Sequence, residues 1–359
     1  MRICLATYQA VMMLKGGPRT QILRSKAELE QQGVRVSLFN SWKEFHRSSF
    51  DLVHLFGANI GTYHLAREIH KLGIPIVLSP IFYTRHSSDY VRWVVRTGNL
   101  VKRFSRGIWT DYGMMAEMSS WATLVAANTV AEATLFVEGM GVPEDKIRIV
   151  PNGVEPRFEK AKPSLFRKTY GEEKFILSVG HIGPERKNIY RLIRALEGVN
   201  HPAFIVGRIE DTPAGRQCLE LARKNPRITI LESIDHDSDL LASAYAACDV
   251  FVLPSQFETP GIAALEAGLA GAKIVITPHG GTKEYFGDLA EYIDPYSVKS
   301  IREGIQIALI KNKDRRLHDR ITKDYLGSNV AEQLRSVYET VVGGKARGTG
   351  KRKARAEDV

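Results

Sequence analysis

Short apolar runs alternate with longer amphipathic segments along almost the whole chain, and this alternation restricts the fold more than any other feature of the sequence. The runs are rich in Val, Ile and Leu, which is typical of strands buried on both faces of a parallel sheet. Most segments between them have helical spacing; residues 20–32, for example, end at Gly33, a helix stop signal. The runs predict twelve strands, at residues 2–7, 34–39, 51–56, 75–79, 123–127, 147–150, 175–180, 203–207, 227–231, 250–253, 273–277 and 291–293.

The predicted strands form two series, separated by residues 151–172, which are rich in turn formers and charge. A chain of 359 residues is long for one hydrophobic core, so two domains are expected. Each would be an α/β, Rossmann-like parallel sheet that binds ligands beyond the carboxyl ends of its strands. We predict an N-terminal domain at 1–158, a C-terminal domain at 159–342 whose last helix can pack back on the first domain, and a basic, disordered tail at 343–359.

The composition is that of a folded globular protein. Hydrophobic residues make up 44% and charged residues 25% of the chain. No stretch reaches the roughly 20 apolar residues that cross a bilayer, and the apolar start of the chain is too short for a signal peptide. The three cysteines, Cys4, Cys218 and Cys248, lack metal-ligand spacing, which indicates buried, reduced thiols in the cytoplasm. No Gly-x-Gly-x-x-Gly follows a strand, which argues against a nicotinamide enzyme.

The net charge of +10 is unevenly distributed, because residues 343–359 contain six basic and two acidic side chains. The positive charge suits an anionic ligand or an anionic membrane surface. No nucleic-acid-binding module accompanies the basic tail, so we expect no nucleic-acid partner.

Residues 249–277 carry the most informative chemistry. A predicted strand leads into a loop that presents Glu258, after which Thr259, Pro260 and Gly261 open a helix that carries Glu266. The amino end of such a helix attracts a phosphate group, since its N–H groups are free and its dipole is positive there. A carboxylate in the second helical turn can accept hydrogen bonds from a ribose diol. This segment therefore predicts a site for a nucleotide linked to a second sugar.

Glu258-x7-Glu266, with Gly261 between the two glutamates, resembles the E-x7-E motif of the retaining GT-B glycosyltransferases of family 4. The neighbouring Pro254-Ser255 and the Ala-x-x-Ala-Gly that ends at Gly271 stand where that family has them. The resemblance implies an α/β GT-B fold, in which two Rossmann-like domains with parallel sheets face each other across a cleft. It also implies transfer of a hexose-type sugar, with retention, from a nucleoside-diphosphate sugar to a glycan or lipid-linked acceptor.

Residues 175–188 resemble the strand, loop and helix with which the family grips the donor diphosphate through an Arg and a Lys six residues apart. Lys187 matches the Lys, but His181 stands at the Arg position, and Arg186 can take over the Arg's role. The alternative is that Arg186 and Lys187 are merely two solvent-exposed cations. A bound anion explains them better, because cations at the start of a helix oppose the helix dipole.

The resemblance assigns the remaining donor site by position. Glu258 and Lys187 are implied to act in catalysis, and the nucleotide base is expected near the loop that contains Ile234. The implied donor-binding residues are Gly16, Gly17, His181, Arg186, Lys187, Ile234, Thr259, Pro260, Gly261, Ile262 and Glu266.

No metal and no cofactor are expected, because the cations and the helix end supply the charge that neutralises the diphosphate, and no Asp-x-Asp follows a strand. The donor is expected to be UDP- or GDP-linked. Two other functions stay open. One is a related GT-B enzyme, such as a nucleotide-sugar epimerase or a phosphorylase. The other is a degenerate transferase that serves as a nucleotide-sugar-binding or scaffolding subunit.

Residues 89–112 mix Trp93, Phe104 and Trp109 with several arginines and lysines, as an interfacial membrane helix does. The alternative is a surface helix whose apolar face packs in the core of the first domain. The sequence thus predicts a cytoplasmic protein that can make a peripheral contact with the anionic inner face of a membrane.

Overall fold

The computed structural model describes the backbone of residues 1–13, 16–104 and 109–354, with side chains except at 103 and 344–354. Its contacts divide the chain into two compact units. Unit 1 consists of Met1–Gly153 and the segment from Gly327 onward, and unit 2 consists of Val154–Leu326. The division falls slightly before the predicted boundary after residue 158, and the last helix belongs to unit 1.

Unit 1 contains a sheet of six parallel strands in the order β2-β1-β3-β4-β5-β6. The register pairs Cys4 of β1 with Ser37 on one side and with Val53 on the other. The strands are β1 (Arg2–Ala6), β2 (Arg35–Leu38), β3 (Leu52–Phe56), β4 (Ile76–Ser79), β5 (Leu124–Ala127) and β6 (Ile147–Ile149).

Within the described residues, five helices of unit 1 precede unit 2 in the chain. The first begins three residues before the predicted start at residue 20, since Pro18 suits the first turn of a helix. The helices are α1 (Gly17–Gln31), α2 (Ile60–Lys71), α3 (Ser88–Phe104), α4 (Asp111–Trp121) and α5 (Val130–Thr134), with a π-helical turn at Leu135–Gly139 and 3-10 turns at Gln9–Met12, Arg47–Ser49 and Glu144–Lys146.

Unit 2 contains a second sheet of six parallel strands, in the order β12-β11-β10-β7-β8-β9. The chain moves outward from β7 to β9 on one side and then returns to build β10 to β12 on the other, so β7 and β10 flank the point where the strand order reverses. The strands are β7 (Ile176–Val179), β8 (Ala203–Val206), β9 (Ile228–Leu231), β10 (Val250–Leu253), β11 (Lys273–Ile276) and β12 (Glu291–Tyr292).

Eight helices cover the two faces of the unit 2 sheet. Alternate strand residues separate the two cores: Leu177 and Phe251 pack with α9, α10 and α13, whereas Ile176 and Val250 pack with α7, α8 and α12. The helices are α6 (Ser164–Tyr170), α7 (Ile189–Leu196), α8 (Pro213–Arg223), α9 (Asp239–Ala247), α10 (Ile262–Leu269), α11 (Thr282–Phe286), α12 (Val298–Ile310) and α13 (Arg316–Asp324), with 3-10 turns at Pro156–Phe158 and Glu185–Lys187.

All twelve predicted strands are present, each within two residues of its predicted ends. Both sheets are parallel and are covered on both faces, which confirms the predicted α/β architecture of two Rossmann-like units. Among the helices in the described part of the chain, none has the length and apolar character needed to cross a bilayer.

The last helix, α14 (Gly327–Ala354), packs beside α1 in unit 1 through Val330, Leu334 and Val337. Its backbone stays helical from residue 343 to Ala354, where we predicted a disordered tail. This segment extends an existing helix, which avoids the cost of nucleation. Residues 355–359 of the predicted tail lie outside the described residues.

A buried polar network fastens α14 to the sheet of unit 1. His54 of β3 lies with Nδ1 2.6 Å from the Tyr338 hydroxyl and Nε2 2.9 Å from the Ser79 hydroxyl. All three side chains are buried, and burial lowers the pKa of His54 to about 3. The imidazole is therefore neutral, and each of its nitrogens has a hydroxyl partner.

Candidate functional site

The candidate site lies at the carboxyl edge of the unit 2 sheet, where the loops after the neighbouring strands β7 and β10 come together. Lys187, from the first loop, donates from Nζ to Glu258 Oε1, from the second loop, at 2.6 Å. Arg186 Nη1 lies 3.5 Å from the same oxygen. Two of the predicted cations thus contact the predicted catalytic carboxylate.

The charge of Glu258 follows from this pairing. Its side chain is only 11% exposed. Burial alone would raise the pKa of Glu258, but the attraction of Lys187 and then of Arg186 outweighs burial and holds the pKa below its ordinary value. The carboxylate is therefore ionised at neutral pH, in a place with little water to screen its charge.

The backbone of Glu258 is held by the loop after β11. Its N–H donates to His279 O at 3.1 Å, and its carbonyl accepts from the Gly281 N–H at 2.9 Å. Gly280 has a φ of +96°, and a Cβ there would lie 1.9 Å from the Glu258 carbonyl oxygen. Only glycine fits this approach, a requirement that our sequence analysis did not identify.

Arg186 links the β7 and β10 loops a second time. Its Nη1 donates to Phe257 O at 3.1 Å, its guanidinium carbon lies 5.2 Å from the centre of the Phe257 ring, and its own carbonyl accepts from the Gln256 N–H at 2.8 Å. These bonds place the guanidinium beside Glu258.

Asn188 explains how the chain turns from Lys187 into α7. Its φ is +60°, a left-handed conformation that Asn tolerates better than most residues. Its Nδ2 donates to Pro254 O at 2.9 Å and to Pro295 O at 2.6 Å. The side chain therefore fixes the β7 loop against the loops after β10 and β12.

The helix predicted to open at Thr259, Pro260 and Gly261 begins slightly later, at Ile262. Thr259 and Pro260 belong to the loop, because Gly261 adopts a φ of +84° and forms the N-cap of α10. A Cβ at Gly261 would lie 3.1 Å from Leu253 and 3.2 Å from Ile276, so only Gly closes this turn without strain. The first N–H groups of α10 follow directly after the loop that carries Glu258.

Glu266 lies in the second turn of α10, as predicted, but its side chain is only 2% exposed. Its Oε1 lies 3.0 Å from His236 Nε2. His236 belongs to the loop between β9 and α9, which also contains Ile234, the residue predicted to lie near the base. The structure thus brings this loop to Glu266, through a histidine that our sequence analysis did not identify because nothing in its local pattern marks it.

His236 also belongs to a set of three groups, with Glu155 and Asp237, whose potential ligand atoms lie within 4.8 Å of one another. It is the one such set within the described ranges. Arg157 donates from Nε to Glu155 Oε2 at 2.5 Å and from Nη2 to the His236 carbonyl. A guanidinium therefore supplies positive charge among these groups.

The other predicted donor-binding residues lie on other elements of the fold. His181 follows β7, and its Nδ1 lies 3.9 Å from Glu210 Oε1. Gly16 and Gly17 form the N-cap and the first residue of α1 in unit 1. The preceding Lys15 lies outside the described residues.

Helix α3 has two apolar faces. Val91 and Val95 are buried and pack in the core of unit 1, as the alternative to a membrane helix requires. The other face exposes Trp93 by 62% and Phe104 by 86%, together with Tyr90, Leu100 and Val101. Arg106, within the same predicted segment, lies outside the described residues.

Two family models match most of the chain in succession. The model described as Glycosyltransferase Family 4 matches residues 19–158, and the model described as Glycosyl transferases group 1 matches residues 162–324.

Curated relatives resemble the chain at low identity. An uncharacterized glycosyltransferase of Methanocaldococcus jannaschii is 26% identical over 308 residues, which cover 80% of this chain and 69% of that protein. The sulfoquinovosyl transferase SQD2 of Arabidopsis thaliana is 24% identical over 302 residues, which cover 81% of this chain and 54% of that protein. The chain thus spans between half and about two thirds of the length of these relatives.

Solved structures share the fold. HepE of Anabaena, in complex with UDP and glucose, matches with a TM-score of 0.66 at 17% identity, covering 95% of this chain and 100% of that one. Sucrose-phosphate synthase of Thermosynechococcus elongatus matches with a TM-score of 0.65 at 15% identity, covering 99% and 100%.

Proposed function

The chain belongs to the GT-B glycosyltransferases of family 4, and from this premise we propose that it transfers a hexose-type sugar, with retention of configuration, from a nucleoside-diphosphate sugar to a glycan or lipid-linked acceptor. One observation carries the proposal. An ionised carboxylate, Glu258, lies against Lys187 and Arg186 at the reversal point of a parallel sheet, next to the amino end of α10.

The cations have an evident role in departure of the leaving group. Nucleoside diphosphate takes up negative charge as the glycosidic bond breaks, and positioned cations stabilise that charge. Lys187 and Arg186 both contact Glu258 here. We propose that donor binding draws these cations toward the diphosphate, which also meets the N–H groups of Ile262 and its neighbour.

Glu258 then faces the sugar that is being transferred. As the bond breaks, the anomeric carbon gains positive charge, and a nearby carboxylate stabilises it. Glu258 is already ionised when the donor arrives, because its pKa is depressed in the free protein. On α10, Glu266 accepts hydrogen bonds from the ribose of the same donor, so the two carboxylates hold the two sugars on either side of the diphosphate.

We propose that no metal ion is needed at the diphosphate, since the two cations and the helix end already supply positive charge. Chelation with EDTA should therefore leave turnover within about twofold. Recovery of lost activity by Mg²⁺ would contradict this part of the proposal.

The donor and acceptor classes are proposed from relatives. HepE has been solved with UDP and with UDP-glucose, and WaaG, matched with a TM-score of 0.58, is described as involved in lipopolysaccharide biosynthesis. We propose a UDP- or GDP-linked hexose as the donor, and an acceptor of the kind used in polysaccharide or lipopolysaccharide assembly.

A peripheral contact with an anionic membrane, on its cytoplasmic face, fits such an acceptor. Trp93, Leu100 and Phe104 share the exposed face of α3, and the exposed Arg96 lies at the edge of that face. Aromatic residues beside cations are what an interfacial helix needs.

The first property to determine is which nucleotide the protein binds. A thermal-shift series with UDP, GDP, ADP and their sugar conjugates should show one base that raises the melting temperature, with the unphosphorylated nucleoside as control. Product analysis with that sugar donor and candidate acceptors then tests transfer, and NMR of the new anomeric centre tests retention. Stabilisation by none of these nucleotides would contradict the proposed function, whereas binding without transfer would favour the scaffolding alternative.

A further inference from the structure

We propose that His236 is a positioning residue for donor recognition, which orients the Glu266 carboxylate toward the ribose hydroxyls. The proposal rests on the proposed function, because it assumes that Glu266 meets the ribose. It adds a residue outside the E-x7-E segment, on a different loop of unit 2.

The burial of Glu266 creates the need for such a residue. A carboxylate that is 2% exposed has lost most of its water, and an ionised group in that position needs hydrogen-bond donors. His236 Nε2 lies 3.0 Å from Glu266 Oε1, a normal length for a bond to a carboxylate. Because one oxygen is engaged by the ring, the orientation of the other is fixed as well.

The histidine is itself held from several sides. Asp237 Oδ1 lies 3.0 Å from its Nδ1, and Arg157 donates to its carbonyl oxygen. The Phe158 ring packs edge-on against it at 5.9 Å, and the Arg157 guanidinium covers that ring at 4.1 Å. These contacts limit the rotation of the imidazole, so its Nε2 stays directed at Glu266.

The exposure of the two partners shows where a ligand can meet them. The His236 side chain is 34% exposed, whereas Glu266 is nearly buried. A ribose that reaches Glu266 from solvent therefore meets a carboxylate already aligned by its more accessible partner. Recognition of the ribose diol should depend on His236 even where the ring forms no bond to the nucleotide.

The test compares ligands that differ only in the ribose. The nucleotide that best stabilises the wild-type protein is used with its 2′-deoxy and 3′-deoxy forms, by calorimetry, on wild type, His236→Ala and His236→Gln. Removing the hydrogen bond to a charged group should weaken binding of the intact nucleotide by about tenfold. At least one deoxy form should bind wild type more weakly than the intact nucleotide, and His236→Ala should reduce that difference to less than twofold. Gln, whose amide can donate, should restore part of the difference.

Kinetics provide a second measurement. His236→Ala should raise the KM for the sugar donor by about tenfold and change kcat by less than threefold, since the diphosphate and Glu258 are untouched. His318 offers a matched control, because it also lies between two carboxylates, Asp319 and Glu159, but on α13. His318→Ala should leave the ribose discrimination unchanged.

The outcomes separate the two proposals. If wild type binds no nucleotide, the proposed function and this inference both fail. If wild type binds a nucleotide but His236→Ala retains the wild-type preference for intact ribose, the inference alone is overturned. Equal weakening of all three ligands would indicate a merely structural histidine and would also overturn it.

Discussion

The two units share one architecture, but His54, buried in unit 1, and Glu258, buried in unit 2, differ in their state of charge. Both contain six parallel strands. In unit 1 the buried His54 is neutral, because burial lowers its pKa and its ring nitrogens bond to the hydroxyl groups of Tyr338 and Ser79. In unit 2 the buried Glu258 is ionised, because Lys187 and Arg186 overcome the effect of burial.

This difference indicates what each arrangement is for. A neutral, satisfied network fixes one packing arrangement, and the His54 network fastens α14 to the sheet. Glu258 is largely buried, and a buried ion pair contributes little to stability by itself. Lys187 and Arg186 are partly exposed, so they can exchange Glu258 for another anionic partner. The unit 2 charges are therefore best explained by a ligand that replaces one partner, which the following variants test.

The largest effect is expected from Glu258→Ala. Removing the carboxylate that faces the transferred sugar should lower kcat by about 10³-fold, the order seen when a single electrostatic stabiliser is lost. Nucleotide binding should stay measurable, because Lys187 and Arg186 remain. Initial-rate kinetics measure the loss of kcat, and calorimetry on the same preparation measures nucleotide binding.

Glu197→Ala is the control for that variant. Glu197 is an exposed carboxylate just after α7, and its loss should leave kcat unchanged. If Glu258→Ala and Glu197→Ala turn over at similar rates, Glu258 has no catalytic role. The proposed difference in function between the buried His54 and the buried Glu258 would then be wrong.

Lys187→Ala should have the next largest effect. Losing the cation closest to Glu258 should lower kcat/KM for the donor by roughly 30- to 100-fold, as for a charge-assisted hydrogen bond to the leaving group. It should also raise the pKa of Glu258, because burial then acts with less opposition. The acid limb of the pH–rate profile should therefore move to higher pH.

Arg186→Ala should weaken donor binding less, since Arg186 lies 3.5 Å rather than 2.6 Å from the carboxylate. If Arg186→Ala is the more damaging variant, Arg186 rather than Lys187 provides the main phosphate contact.

Most of the fold could be predicted from the sequence, because each strand appears as a local apolar run. Glu258, Lys187 and α10 were also predictable, since they belong to short motifs with recognisable neighbours. Gly261 illustrates where local prediction ends: the segment indicated a helix start, but only the contacts with Leu253 and Ile276 show why the helix begins after Gly261.

The missed residues act through partners distant in sequence. His236 contacts Glu266 thirty positions away, and His54 contacts Tyr338 across 284 positions. Gly280 is needed because a carbonyl from another loop approaches its Cα. No periodicity or motif encodes such pairings, so a single sequence offered no signal for them.

Tyr338→Phe tests the neutral network of unit 1. It removes the hydroxyl that bonds His54 and leaves a buried nitrogen without that partner, which should cost roughly 1–2 kcal/mol of stability. Hydrogen exchange of amides in β3, β4 and α14 measures this loss locally. Nucleotide affinity should not change, and a large loss of affinity would contradict the division between the units.

The same network has a characteristic pH dependence. The folded pKa of His54 is about 3, below its ordinary value of 6.5, so the unfolded chain binds the proton more readily. The stability due to neutral His54 is present above about pH 6.5 and decreases by about 1.4 kcal/mol per pH unit as the pH falls toward 3. Hydrogen exchange in unit 1 between pH 7 and pH 5 should show this slope, and its absence would indicate that His54 takes up a proton in the folded protein.

The smallest effect is expected at the exposed face of α3, where unit 1 is proposed to meet a membrane. Replacing both Trp93 and Leu100 by Ala should weaken partitioning to vesicles of anionic lipid by about tenfold, since about half of each apolar side chain is already exposed and available to the bilayer. Arg96→Ala should weaken it by about fivefold at low salt and less at high salt.

Trp42→Ala is the matched control, because Trp42 is 95% exposed in unit 1 but lies on the loop after β2. Flotation with neutral vesicles separates the electrostatic part from the apolar part. Equal loss of binding with Trp42→Ala would mean that any exposed tryptophan suffices, and no binding of the wild-type chain to anionic vesicles would end the membrane proposal. The exposed apolar face of α3 in unit 1 would then be expected to bind a partner other than a membrane, whereas the charged site in unit 2 would keep its proposed role.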